Sequence, residues 1–279
     1  MELYKIETGN FKLDGGAMFG VVPKVIWNDV YPADKNNLCN WAMRCLLIVD
    51  GDRKILIDNG IGDKQDEKFL RHYHLNGDDT LEKSLARVGF SAADITDMVI
   101  THLHFDHCGG SITKIGEDKY DTTFKNATYW ISKEQWEWAT HPNRREKASF
   151  LKENIFPIEE SGQLKLVDTE GELFPNFNVK FFNGHTGGQI IPHINFNGKT
   201  VVFMADLLPS TAHIPMPYIM AYDTRPLITL KEKEEFFNDA IENNYILFFE
   251  HDIYYECCTL KMTEKGPRAD KTFRLKDIL

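Results

Sequence analysis

Four short apolar runs in this 279-residue chain end in the same way, and that pattern limits the fold more than any other feature. "MVIT" runs into His102, "VKFFNG" into His185, "VVFMA" into Asp206 and "ILFFE" into His251. Runs this short, bounded by turn residues, read as buried strands. Each delivers a side chain able to bind a metal just past its carboxyl end. Rigid strands that hand polar groups to the following loops are a common way to build a site. A fold that satisfies the pattern has sheets at its centre, helices outside, and ligand-bearing loops at the strand ends.

The first of those loops is the densest. "THLHFDHCGG", residues 101–110, holds three of the ten histidines, His102, His104 and His107, together with Asp106. Imidazoles and a carboxylate are costly to bury unless each polar atom meets a hydrogen bond or a metal. In an extended segment residues i and i+2 face the same way, so His102 and His104 converge on one point. Asp106 and His107 follow on a turning segment toward a second, and "CGG" provides glycines for the turn. A chance match to this spacing is rare enough that the cluster reads as a metal site.

Other segments supply the frame. "RCLLIVDGDRKILIDNG" reads as a β-hairpin. "TLEKSLARVGF" reads as a helix with Leu81, Leu85 and Val88 on one face, Asp79 or Thr80 as cap and Gly89 at the end. "SKEQWEWATHP", capped by Ser132 and followed by Pro142, and "LKEKEEFFNDAIENN" are two more. "NATYWI" reads as a further strand. With no repeat or low-complexity linker, one domain over residues 1–279 is the simplest organisation.

The formal net charge of −10 argues against nucleic acid and anionic membrane as partners. No apolar run approaches the ~20 residues that span a bilayer. Five cysteines at irregular spacing form neither a disulfide framework nor a CxxC zinc site, so a reducing, cytoplasmic setting is expected.

Taken in order, "HLHFDH", "GHTGG", "MADLL" and "FFEHD" resemble the ligand pattern of the metallo-β-lactamase superfamily, over roughly residues 11–258. The resemblance implies an α/β (α+β) fold, a four-layer αββα sandwich with the metal site at one edge between two sheets. It implies two divalent ions, zinc foremost, with iron, manganese or cobalt as options. His102, His104 and His185 would bind one, Asp106, His107 and His251 the other, and Asp206 would bridge them. Asp106 and Asp206 would act in catalysis, and Asp58 would orient a ligand histidine. "LDGGAMFGVVPKVIW", "MADLLPSTAH", "AYDTRP" and "EHDIYYE" look like the quorum-quenching lactonases and, more distantly, the methyl parathion hydrolase group.

That likeness implies hydrolysis of a lactone or ester by a metal-bound hydroxide, with an N-acyl homoserine lactone as one candidate. Met18, Phe19, Trp27, His213 and Tyr222 are candidate pocket residues, although Phe19 and Trp27 also read as ordinary core. Pro209 stands where well-studied lactonases carry a tyrosine, and Gln189 where many relatives have a histidine. A phosphotriesterase of the same fold is an alternative. A mononuclear iron persulfide dioxygenase is the alternative from another class. A small molecule is the expected partner, and the oligomeric state is left open, a homodimer included.

Overall fold

The computed structural model of the protein describes residues 1–278. The chain gathers into two compact units, one of residues 1–10 and 43–169, the other of residues 11–42 and 170 onward. Two long strands, β1 (Glu2–Asp14) and β2 (Leu38–Asp50), run from one unit into the other.

The first unit adds β3 (Arg53–Ile57), β4 (Asp97–Val99), β5 (Ile112–Gly116), β6 (Lys119–Thr122), β7 (Thr128–Ser132) and β8 (Leu164–Val167). Its main sheet has the order β1-β2-β3-β4-β7-β8, while β5 and β6 pair separately. The expected hairpin is β2–β3, antiparallel, with Asp50 opposite Arg53. From β3 onward the neighbours run parallel. Parallel neighbours need long crossovers. Helix Leu81–Arg87 lies in the crossover between β3 and β4, and helices Lys133–Thr140 and Lys152–Glu160 lie between β7 and β8. The caps are those the sequence implies: Thr80 accepts from the Lys83 N–H and Ser132 from the Gln135 N–H. Leu56, Leu85, Met98, Tyr129, Ile131 and Ile158 belong to one buried core.

The second unit contains β9 (Gly171–Phe174), β10 (Phe177–Phe182), β11 (Gln189–Phe196), β12 (Lys199–Phe203), β13 (Ile246–Phe248), β14 (Cys257–Thr263) and β15 (Gly266–Phe273). They form one sheet, β15-β14-β13-β12-β11-β10-β9, antiparallel except for β12–β13. Helix Pro226–Glu242 makes that one crossover and starts with proline, whose missing N–H costs nothing in a first turn. Phe203 and Phe248, on the two parallel strands, stack with centroids 5.7 Å apart.

The terminal pattern read from the sequence has a regular form. Strands β4, β10, β12 and β13 each end three residues before His102, His185, Asp206 and His251 respectively. Among the described residues no helix is long and apolar enough to cross a membrane. All five cysteines are buried free thiols.

Candidate metal centre

In the first unit, His102, His104 and His107 are buried, and their rings crowd together. His102 lies 4.6 Å from His104 and 3.9 Å from His107, centroid to centroid. His104 caps a short helix, Phe105–Cys108, which carries Asp106 and His107. The two glycines that follow are required by close approach rather than by a left-handed turn. A Cβ on Gly109 would sit 2.0 Å from the Ile61 carbonyl oxygen, and one on Gly110 2.3 Å from that of Asn59.

Remote acceptors hold these rings in place. Asp58 is fully buried and has φ +56, a conformation that costs a non-glycine residue of order 1 kcal/mol or more. Its carboxylate accepts from the Thr101 N–H (2.8 Å), the Thr101 hydroxyl (2.6 Å) and His107 Nδ1 (3.1 Å). Thr101 Oγ1 in turn accepts from His102 Nδ1 at 3.0 Å. His104 is held by its other nitrogen: Nε2 donates to Glu146 Oε1 at 2.9 Å. Glu146 is itself fixed by Trp138 Nε1 (2.6 Å) and Asn143 Nδ2 (3.0 Å), both donating to Oε2. A cation would therefore meet Nε2 of His102 and His107 but Nδ1 of His104.

The second unit offers His185, Asp206 and His251, also buried. His185 sits on a loop pinned to the start of helix Pro226–Glu242. Glu232 accepts from the N–H groups of Asn183 (2.6 Å) and Gly184 (2.9 Å), and a Cβ on Gly184 would strike the Thr229 nitrogen at 2.4 Å. His185 Nδ1 donates to Asp223 Oδ1 at 2.8 Å. His251 Nδ1 donates to the Ala42 carbonyl at 2.8 Å. Asp206 follows Ala205, whose φ of +40 is again strained for a residue with a side chain.

The donor set fits a divalent ion. A carbonyl or an ionised carboxylate only accepts, so the held nitrogens of His185 and His251 carry the ring protons of their neutral forms. Yet Nε2 of His185 lies 3.1 Å from Asp206 Oδ2, and Nε2 of His251 lies 3.1 Å from Asp206 Oδ1. For neutral rings these are lone pairs facing lone pairs, an arrangement that a shared cation stabilises. A separation of 3.1 Å is about what two ligand atoms on one ion with ~2.1 Å bonds would show. Imidazole and carboxylate together suit zinc, iron or manganese.

A sequence profile of the Metallo-beta-lactamase superfamily matches residues 44–239. The chain belongs to that superfamily. An N-acyl homoserine lactonase of Bacillus cereus is 24% identical over 233 residues, which is 79% of this chain and 85% of the relative. The fold is also that of solved superfamily-type structures. A probable metal-dependent hydrolase from Staphylococcus aureus superposes with a TM-score of 0.89 at 31% identity, covering 98% of this chain and 96% of the other. AidC, a dizinc quorum-quenching lactonase in complex with a product, N-hexanoyl-L-homoserine, superposes with a TM-score of 0.81 at 24% identity, covering 97% and 94%.

Against this metallo-β-lactamase framework the remaining candidates separate. Phe19, Trp27 and His213 form a stack in the second unit: Phe19 lies 5.0 Å from Trp27 and 4.8 Å from His213, nearly parallel to both. These three and Met18 are buried. His213 Nε2 donates to the Met18 carbonyl (2.9 Å) while Nδ1 accepts from Ser210 (2.8 Å), and burial pushes its pKa down to about 3. The core reading of Phe19 and Trp27 describes this arrangement, and His213 joins them as a structural pin. Tyr222 is exposed. Gln189 is buried with neither amide atom hydrogen-bonded among the described residues, and Pro209 is buried. Sequence reasoning missed Glu146 and Asp223. Each is one acid among many, at no fixed spacing from the histidine it holds.

Proposed function

We propose that this metal-dependent hydrolase holds two divalent ions, zinc foremost, and opens lactone rings or cleaves esters, with N-acyl homoserine lactones the first class to try. His102, His104 and His185 hold one ion, Asp106, His107 and His251 the other, and Asp206 reaches both. The observation that carries it is the placement of Asp206, whose two carboxylate oxygens each face a different histidine nitrogen at 3.1 Å. A carboxylate so disposed is built to bridge. The substrate class is supported by the N-acyl homoserine lactonase relatives, which include the Bacillus cereus protein.

The ions would bring a water's pKa toward neutrality and draw charge from the substrate's carbonyl oxygen. The chain's own residues do the rest. Asp58, through Thr101 and His107, keeps two rings in the tautomer that presents Nε2. Glu146 keeps His104 in the opposite tautomer, which presents Nδ1, and Asp223 keeps His185 in the one that presents Nε2. Asp106, 8% exposed at the start of its helix, would take the proton that the attacking water loses and pass it to the departing alkoxide oxygen.

The test is a hydrolysis screen of γ-lactones of graded acyl length, an aryl ester and a phosphotriester, using protein of known metal content. Ring opening that leads the series supports the reading. Turnover confined to the phosphotriester would replace the substrate class, and no hydrolysis of any of them would overturn the proposal.

A further inference from the structure

Helix Pro226–Glu242 of the second unit carries two lysines in different settings: Lys231 is exposed, whereas Lys233 is 1% exposed. Lys233 Nζ donates to the carbonyl oxygens of His213 (2.7 Å), Tyr218 (3.0 Å) and Pro215 (3.2 Å), with that of Met216 at 3.5 Å. The Phe237 ring centroid lies 5.8 Å from Nζ. Among the described residues no carboxylate forms an ion pair with it. An ammonium is costly to bury unless its protons are answered, and here three protons meet three carbonyls of one short loop. A neutral amine would turn its lone pair on one of them. Burial lowers the pKa of Lys233; the carbonyls and, at longer range, the Asp223 carboxylate favour the charged form.

The loop needs donors from outside itself, because Pro215 and Pro217 remove two N–H groups from residues 213–218. The longer span around it joins two parts of the second unit's ligand set. It leaves Asp206 and ends at Asp223, which accepts from His185 Nδ1 at 2.8 Å. The next residue, Thr224, donates from both its N–H and its hydroxyl to the His185 carbonyl, each at 3.0 Å. The start of the span is fixed by Asp252, whose Oδ2 accepts from the Thr211 N–H (2.8 Å) and hydroxyl (2.6 Å). Its end is fixed by the Ala221 N–H, which donates to the Ala17 carbonyl at 2.8 Å, and by the Asp223 N–H, which donates to the Met220 carbonyl at 3.2 Å. Between these two anchorages the loop carbonyls converge on Lys233.

We propose that Lys233 is a positioning residue for the metal centre: its ammonium is a built-in cation that fixes residues 213–218 and, through them, Asp223 and the ring of His185. The charge does what packing cannot. A methionine of similar length fills the same space but leaves three buried carbonyls without their donor. The step to the metal rests on the ligand assignment proposed above; the loop's dependence on the ammonium does not.

The experiment is hydrogen exchange read by mass spectrometry on the full-length, metal-loaded protein, with chelator competition for metal affinity in parallel. In Lys233→Met the amides between Ile214 and Asp223 should exchange at least about tenfold faster, while those of strands β10 to β13 keep wild-type rates. Metal affinity should fall about tenfold. Lys233→Ala leaves room for propylammonium, whose three carbons and nitrogen replace the lost atoms and which holds its proton at neutral pH. At about 100 mM it should restore slow exchange and metal affinity, and propan-1-ol should not. If Lys233→Met does not fold, refolding of Lys233→Ala in propylammonium against propan-1-ol reads the same dependence. Wild-type exchange in Lys233→Met would overturn the proposal, as would equal rescue by propan-1-ol or no rescue by propylammonium. A loosened loop with unchanged metal affinity would overturn the positioning role alone, whereas a wild type that binds no metal would overturn the ligand assignment beneath it.

Discussion

The two units arrange their candidate metal ligands in opposite ways. The first packs three imidazoles and a carboxylate into six consecutive residues, His102 to His107. With rings as close as 3.9 Å, each must be kept in register by an acceptor from far along the chain, Asp58 or Glu146. The second takes His185, Asp206 and His251 from three loops, and the sheet itself sets their spacing. There the central group is the Asp206 carboxylate, flanked by a histidine on each oxygen. A dense motif buys local concentration and then needs remote anchoring; a dispersed one is anchored by its strands.

The largest expected effect breaks the dispersed half. Asp206→Asn should lower hydrolysis by at least about 10³-fold, roughly 4 kcal/mol of barrier, and reduce bound metal. Retention of full metal content and turnover would remove Asp206 from the centre. Next come the anchors. Glu146→Gln and Asp58→Asn in the first unit, and Asp223→Asn in the second, should each weaken metal affinity about 10–100-fold in a competition with a chelator. If the dense half relies more on remote anchoring, the first two will exceed the third. An equal response in all three would erase that distinction.

Stability sharpens the comparison further. Gly109→Ala forces a Cβ to within 2.0 Å of the Ile61 carbonyl oxygen and should cost about 1–3 kcal/mol or more, read as a lower Tm. Gly51→Ala, with open space around it but φ +62, should cost only about 1 kcal/mol.

A last effect concerns pH. Burial lowers the pKa of His213 to about 3, whereas the unfolded chain takes up that proton near 6.5. Between those values the unfolded state binds more protons, so His213 contributes stability above pH 6.5 that is lost as pH falls toward 3. The limiting slope is about 1.4 kcal/mol per pH unit. His213→Phe, at the same metal load, should flatten the fall in Tm between pH 6.5 and 5. An unchanged slope would place the acid sensitivity elsewhere.

Much of this was legible in the sequence because the signals were local. Ser132 and Thr80 cap the helices expected of them, and the β2–β3 hairpin follows from two apolar runs about a turn. The histidine loop announces itself, and the three dispersed candidates became visible through a shared position after strands. Strands β14 and β15 were not legible, since they carry no period of two: exposed residues follow one another, as at Lys261 and Met262 or Asp270 and Lys271. Helix Lys152–Glu160 was masked by Pro157 in its interior. Glu146 and Asp223 were beyond reach, because long-range hydrogen bonds leave no period in a sequence. The glycines after His107 were visible, but their reason is backbone contact and not turn geometry.

The most direct test of the central claim is the metal content per chain of protein purified without added metal, by elemental analysis. If both halves serve one dinuclear centre, the value is close to two, and it falls in Asp206→Asn. One iron per chain, unaltered by loss of His251, would contradict the account and leave the second half without its assigned ion.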